Sequence, residues 1–213
     1  MHNIHVALHQ DGAHLPCMDS LLTRIGSVAV LLPPDPAPPE TRVLAQHLGR
    51  SLARAGAVLV YDGTRGGIGG ALADAALAHE GHVIGIAEAG TEAVRRHPHL
   101  AEFRDAADAM AAETMRNALT DATVVLPGAL PLSDPASWAQ AAAAGGRRRI
   151  GLLGPAAALA PLVAALDVAA AEGRLDAATR GAIVAAEDVR DLLMGLDADA
   201  PARRRGVPLY ASL

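Results

Sequence analysis

The sequence predicts an α/β protein built on one doubly wound parallel sheet with helices on both faces. Short segments of continuous apolar residues recur along the chain, and each is followed by a longer segment with helical spacing of its apolar residues. Continuous apolar strands are typical of a parallel sheet that is covered on both faces. Such sheets bind ligands beyond the carboxyl ends of their strands, so the loops at that edge are where function is expected.

The elements follow in alternation. Strands are predicted where apolar residues run without a break, at 27–32, 57–61, 82–87, 122–126, 150–153 and 182–185. Helices are predicted where apolar residues recur at helical spacing, at 41–55, 68–79, 100–119, 137–144, 156–171 and 189–196. The Pro-rich stretch 32–40 is predicted to be a loop. One domain at 26–200 is therefore expected, with a His-rich extension at 1–25 and a tail at 201–213.

Composition excludes several classes of protein. The 213 residues are 51% hydrophobic and carry a formal net charge of −5, with no basic footprint for a nucleic acid polymer. No apolar run reaches the roughly 18 residues that a membrane span needs, and the N-terminus has no signal pattern, so a cytoplasmic protein without a membrane partner is expected. The chain has no lysine, which excludes a P-loop and pyridoxal-phosphate chemistry. A single cysteine excludes a zinc finger and an iron–sulfur cluster.

A glycine-rich segment follows the second predicted strand and opens a helix. Its glycines allow the backbone to approach a ligand closely, and the helix N-terminus offers free N–H groups to an anion. The spacing differs from the dinucleotide fingerprint G-x-G-x-x-G. The alternative is a turn that only lets helix and strand pack tightly. The candidate phosphate-binding or nucleotide-binding residues here are Asp62, Gly63, Thr64, Arg65, Gly66, Gly67 and Gly69.

The segment 56–87 (GAVLVYDGTRGGIGGALADAALAHEGHVIGIA) resembles the first signature region of the LONELY GUY family, Y-G-G-G-x-x-G-L-M-G followed by a helix and G-x-V-I-G-V. Further similarity lies at 24–32, 121–128 (DATVVLPG), 137–140 (SWAQ) and 150–175. The resemblance implies a Rossmann-like fold, a homodimer and no cofactor. It also implies a hydrolase, a phosphoribohydrolase that cleaves the N-glycosidic bond of nucleoside 5′-monophosphates. Members are often labelled lysine decarboxylases, a label that the missing lysine makes physically unattractive here.

The second family motif, P-G-G-x-G-T-x-x-E, is altered. Pro127 and Gly128 match its start and are candidates for phosphate binding, but the later glycines, the threonine and the glutamate are replaced. Asp134, followed by Pro135, has the pattern of a helix N-cap with proline at the first helical position. The alternative is that Asp134 stands in for the lost catalytic glutamate.

The family's catalytic arginine is also displaced. Ala112 occupies the corresponding position, and Arg116 follows one helical turn later on a similar face. Arg116 could reach the same site, or it could be a surface residue that pairs with Glu113. Arg116, Glu113 and Asp134 are therefore the candidate catalytic residues. Asp62, where the family has glycine, could bind ribose hydroxyls or a metal, or simply weaken anion binding.

Two functions follow from these residues. The first is a nucleotide hydrolase with an altered catalytic loop, and the second is a nucleotide-binding or sensing protein that has lost hydrolysis. A third possibility is a metal site formed by His2, His5, His9, His14, Cys17 and Met18. The alternating segment 4–9 instead favours a strand, on which His5 and His9 would lie too far apart to share a metal without a further ligand. No metal site is predicted.

Overall fold

The computed structural model describes residues 24–90, 95–130, 134–143 and 148–198. Within these residues one sheet of seven parallel strands is present: β1 (Ser27–Leu31), β2 (Val58–Tyr61), β3 (Val83–Glu88), β4 (Glu102–Ala106), β5 (Ala122–Val125), β6 (Arg149–Leu153) and β7 (Ile183–Ala186). The helices are α1 (Pro39–Arg54), α2 (Gly67–Leu77), α3 (Ala109–Leu119), α4 (Pro135–Ala142), α5 (Ala156–Ala171), α6 (Ala177–Gly181) and α7 (Val189–Ala198).

The strand order is β4-β3-β2-β1-β5-β6-β7, so the direction of winding reverses beside β1. The chain first builds outward from β1 to β4, then returns to place β5 against β1, with Val28 opposite Ala122. Loops on the two sides of this reversal diverge at the carboxyl edge of the sheet and leave a crevice there.

Helices cover both faces of the sheet. On one face α1, α2 and α7 bury Leu48, Leu72 and Leu192 against the strands. On the other face α4 and α5 pack against β5 and β6, and α3 packs against β3 and β4. The fold class is therefore confirmed: a single α/β, Rossmann-like, doubly wound parallel sheet.

Most of the predicted elements begin and end within two residues of the observed bounds. The single helix predicted at 100–119 is wrong. Residues Glu102–Ala106 form the edge strand β4, and α3 begins only at Ala109. The edge strand is polar and partly exposed, so it lacks the continuous apolar pattern of the inner strands. Asp108 then starts the helix, because its side chain accepts a hydrogen bond from the Ala111 N–H at 2.7 Å. The short helix α6 also has no counterpart in the predicted set.

No helix in the described ranges is long and apolar enough to cross a membrane. The His-rich extension and the strand expected at its 4–9 segment lie outside the described residues, apart from residues 24 and 25.

Candidate functional site

A cleft of about 980 Å³ opens at the carboxyl edge of the sheet, on the side of the reversal that holds β1, β2 and β3. Its walls are the loops after these three strands and one face of α3. Six of the seven loop residues predicted to bind phosphate line it: Asp62, Thr64, Arg65, Gly66, Gly67 and Gly69. The seventh, Gly63, lies beneath the loop against Phe103, where a Cβ would overlap the aromatic ring.

Side-chain hydrogen bonds hold the glycine-rich loop in shape. The Asp62 carboxylate accepts hydrogen bonds from the Thr64 N–H at 3.0 Å and from the Thr64 hydroxyl at 2.9 Å. The buried Tyr61 donates its hydroxyl proton to the Thr64 carbonyl at 3.0 Å. The turn is thus closed by its own residues, and its backbone is positioned before any ligand arrives.

A second segment, 95–97, supports the loop from behind. Arg65 donates its N–H to the Arg95 carbonyl at 2.7 Å, and His97 donates its N–H to the Gly63 carbonyl at 2.9 Å. The buried His97 ring lies 3.0 Å from the carboxylate of Asp74 on α2 and accepts the His99 N–H at Nδ1. Its proton is therefore on Nε2, and the ring ties this segment to the same helix that the loop opens.

The start of α2 is free of a side-chain cap. Gly66 is the N-cap residue and has no side chain to accept the first N–H groups, and Gly67 has a φ of 62°. The Asp35 carboxylate, from the loop after β1, lies so close to Gly67 that a Cβ there would overlap it. A carboxylate is stabilised by the positive end of the helix dipole, so this is the place where an anionic ligand would bind.

Charged groups of both signs face the cleft. They are Arg65, Arg95 and Arg116 on one hand and Asp35, Asp62 and Glu88 on the other. The side chains of Arg65 and Arg95 make no hydrogen bond or ion pair with any other described residue. They are exposed and available to an anion at the loop.

Arg116 reaches the cleft from α3, as the helical spacing suggests. It shares a face with Ala112, which also lines the cleft, and it donates a hydrogen bond from Nη1 to the Ile86 carbonyl at 3.2 Å. Burial lowers the pKa of Arg116, while the carboxylates of Glu113 and Asp62 act in the opposite direction. Glu113 is not among the residues that line the cleft; it lies near enough to influence Arg116.

The remaining predicted residues lie apart from the cleft. Gly128, with a φ of 82°, packs under Pro33, so this loop backs the cleft wall and does not form it. Asp134 caps α4, accepting the Ser137 N–H at 3.2 Å, which confirms the N-cap interpretation. Hydrogen bonds from Ser137 lower the Asp134 pKa. The structure thus brings neither Pro127 and Gly128 nor Asp134 to the cleft surface.

Three charged cleft residues were missed by sequence reasoning: Asp35, Glu88 and Arg95. Asp35 and Glu88 stand at or just after the ends of β1 and β3, so the rule that parallel strands end at one edge could have found them. Arg95 carries no such signal, because it reaches the cleft through the pairing of its segment with the glycine-rich loop. Groups of three or more side chains able to hold a metal are absent from the described residues.

The fold and the cleft define a class: a Rossmann-like α/β protein with an open cleft at the carboxyl edge of its sheet. No protein-family profile matches the chain. The cytokinin riboside 5′-monophosphate phosphoribohydrolase of Rhodococcoides fascians is 28% identical over 159 residues, which are 72% of this chain and 79% of that protein. The fold is Rossmann-like, and this relative supports the resemblance to the LONELY GUY family that the motifs indicate.

Solved structures share the fold. The molybdenum cofactor binding protein from Rippkaea orientalis has a TM-score of 0.58 and 18% identity, covering 79% of this chain and 93% of its own. The molybdenum cofactor carrier protein from Chlamydomonas reinhardtii has a TM-score of 0.59 and 18% identity, covering 82% and 98%. At this identity the likeness concerns the fold alone.

Proposed function

We propose that the cleft binds a nucleoside 5′-monophosphate by its phosphate. The observation that carries this proposal is the uncapped N-terminus of α2 beside two unpaired arginines, Arg65 and Arg95. Backbone N–H groups and guanidinium groups both favour a phosphate dianion, and the glycines leave room for it to approach. The Thr64 hydroxyl donates its one proton to Asp62, so it shapes the loop and is not assigned to the phosphate.

The nucleoside would lie deeper in the cleft, toward α3. Apolar surface from Leu32, Ile86 and Ala112 suits a base, and Asp62 is suitably charged to accept hydrogen bonds from ribose hydroxyls. Arg116 on α3 would then face the nucleoside from the side opposite the phosphate loop.

The reaction we propose is hydrolysis of the N-glycosidic bond. Water adds to C1′ of the ribose as the bond to the base nitrogen breaks, which gives free base and ribose 5-phosphate. The transition state has oxocarbenium character and is stabilised by a nearby carboxylate, the role we assign to Asp62. Arg116 would stabilise the electron pair that stays on the leaving base, and Glu113 would position Arg116. The relative's name as a phosphoribohydrolase supports this reaction.

A second candidate is binding of the nucleotide without hydrolysis. Two observations favour it: Ala112 stands where the family has its arginine, and Asp134 caps a helix outside the cleft. Solved proteins of this fold include ones named as cofactor-binding and carrier proteins, an analogy at the level of the fold.

Turnover assays separate the two candidates. The protein would be incubated with AMP, CMP, GMP, UMP or isopentenyladenosine monophosphate, and free base would be followed by chromatography. Arg116→Ala and Asp62→Asn test the cleft; asparagine retains the oxygen that accepts from Thr64 but not the charge. Asp134→Asn, which keeps a cap outside the cleft, is the matched control.

The hydrolase candidate predicts that the wild type and the Asp134→Asn control release free base, and that Arg116→Ala and Asp62→Asn do not. Without release, calorimetric binding of AMP that weakens in Arg65→Ala supports the second candidate. If the protein neither releases base nor binds AMP, the proposal that the cleft is a nucleotide site is overturned.

A further inference from the structure

A second hollow, of about 700 Å³, lies on the outer side of the glycine-rich loop, between α1 and α2. Arg42, Gln46 and Arg50 form its α1 wall and, at spacings of four residues, share one face of that helix. Small residues of α2, among them Gly70 and Ala75, form the floor. We call this hollow the arginine groove.

The arginine groove carries a net positive charge, because Arg42, Arg50 and Arg65 line it together with one carboxylate. Among the described residues, most arginine side chains make a hydrogen bond or an ion pair, as Arg96 does with Asp105 at 2.5 Å. Those without one are Arg42, Arg50, Arg54, Arg65, Arg95 and Arg190. All of these except Arg190 lie on the α1 face or at the phosphate loop, although the whole chain is acidic.

The carboxylate that lines the groove, Asp74, is outnumbered by the three arginines. Asp74 lies 3.0 Å from the buried His97 ring, in the contact that supports the loop. Unpaired guanidinium groups around a hollow, in a chain of net charge −5, favour an anionic ligand there.

The groove and the cleft are continuous. Arg65, Gly66 and Gly67 line both, so the loop is a low ridge between them. A Cβ placed on Gly66 would meet nothing within 4 Å, which leaves the top of the ridge open. A phosphate chain anchored at the α2 N-terminus can therefore pass over Gly66, beside the Asp35 carboxylate that lies against Gly67.

We propose that the arginine groove binds a second phosphoryl group, so that a nucleoside diphosphate binds more tightly than the monophosphate does. This inference rests on the proposed function, in which the cleft holds the nucleoside and its first phosphate. The second phosphoryl group crosses the ridge at Gly66 and is held by Arg42 and Arg50, with Arg65 bridging the two groups.

Calorimetry with AMP and ADP tests this inference on the full chain. Each charge-assisted hydrogen bond contributes about a tenfold gain in affinity, so ADP is expected to bind at least about tenfold tighter than AMP. In Arg42→Ala/Arg50→Ala the ratio is expected to fall to about one while AMP affinity stays the same. Arg190→Ala, which removes an exposed and unpaired arginine on α7, is the control and should retain the ratio.

Equal binding of AMP and ADP to the wild type would overturn the inference, and so would an ADP preference that survives in the double variant. If AMP binds and ADP binds no more tightly than AMP, the proposed function stands and this inference fails. If ADP binds through Arg42 and Arg50 while AMP does not bind, the proposed function fails instead. Binding of neither nucleotide overturns both.

Discussion

Replacing Asp35 by asparagine is expected to tighten nucleotide binding. The Asp35 carboxylate lies against Gly67 at the start of α2, where the proposed function places the ligand phosphate. Two like charges about 4 Å apart repel by about 4 kcal/mol at an effective dielectric constant of 20. Asp35 is exposed and on a loop, so solvent screening and movement of the loop leave about 1 kcal/mol of this repulsion. That corresponds to about fivefold tighter binding.

Titration calorimetry of AMP against wild type and Asp35→Asn measures this effect. The gain should be largest at low salt and should shrink toward 0.5 M, because the repulsion is partly screened. Glu40→Gln is the matched control, since Glu40 is an exposed carboxylate on the first turn of α1 that does not line the cleft. Unchanged or weaker binding in Asp35→Asn would refute the assignment of the α2 N-terminus as the phosphate site.

Further predictions concern the support of the loop and the helix caps. Tyr61→Phe removes the hydrogen bond to the Thr64 carbonyl and should lower the free energy of unfolding in urea by about 1 kcal/mol. His97→Ala removes the contact with Asp74, so faster amide exchange is expected at 63–65, with no such change in 149–153. Hydrogen bonds lower the pKa of Asp134 and Asp176 below the unfolded value of 3.8. Their stabilisation is therefore present above about pH 4 and is lost as the pH falls through the lowered pKa values. Thermal melts should show a smaller loss of Tm in acid for Asp134→Asn/Asp176→Asn, whose caps do not titrate.

The inner sheet was readable from sequence because its strands are buried on both faces and are therefore continuously apolar. The edge strand β4 carries Glu102, Arg104 and Asp105 and has only one neighbour, so this signal is absent. The strand order also could not be read, since apolar pattern reports burial and not pairing. The domain division at 1–25 and 201–213, the homodimer and the cytoplasmic location stay predictions.

The site was readable where it depends on local sequence. The glycine-rich loop and the start of α2 are contiguous in the chain, and Arg116 follows from helical spacing. Asp35 and Arg95 reach the same cleft only because β1 lies beside β2 and because segment 95–97 pairs with the loop. For Asp134 the capping pattern was visible in sequence, but its distance from the cleft depends on where α4 packs.

The central claim is that the α2 N-terminus binds a nucleotide phosphate, and amide chemical shifts test it most directly. ¹⁵N-labelled protein would be titrated with AMP, and the backbone amide shifts would be followed residue by residue. We expect the largest changes at Gly66, Gly67 and Gly69, together with Thr64 and Arg65. Changes centred on the cap of α4 at Asp134, or none at saturating AMP, would contradict the account.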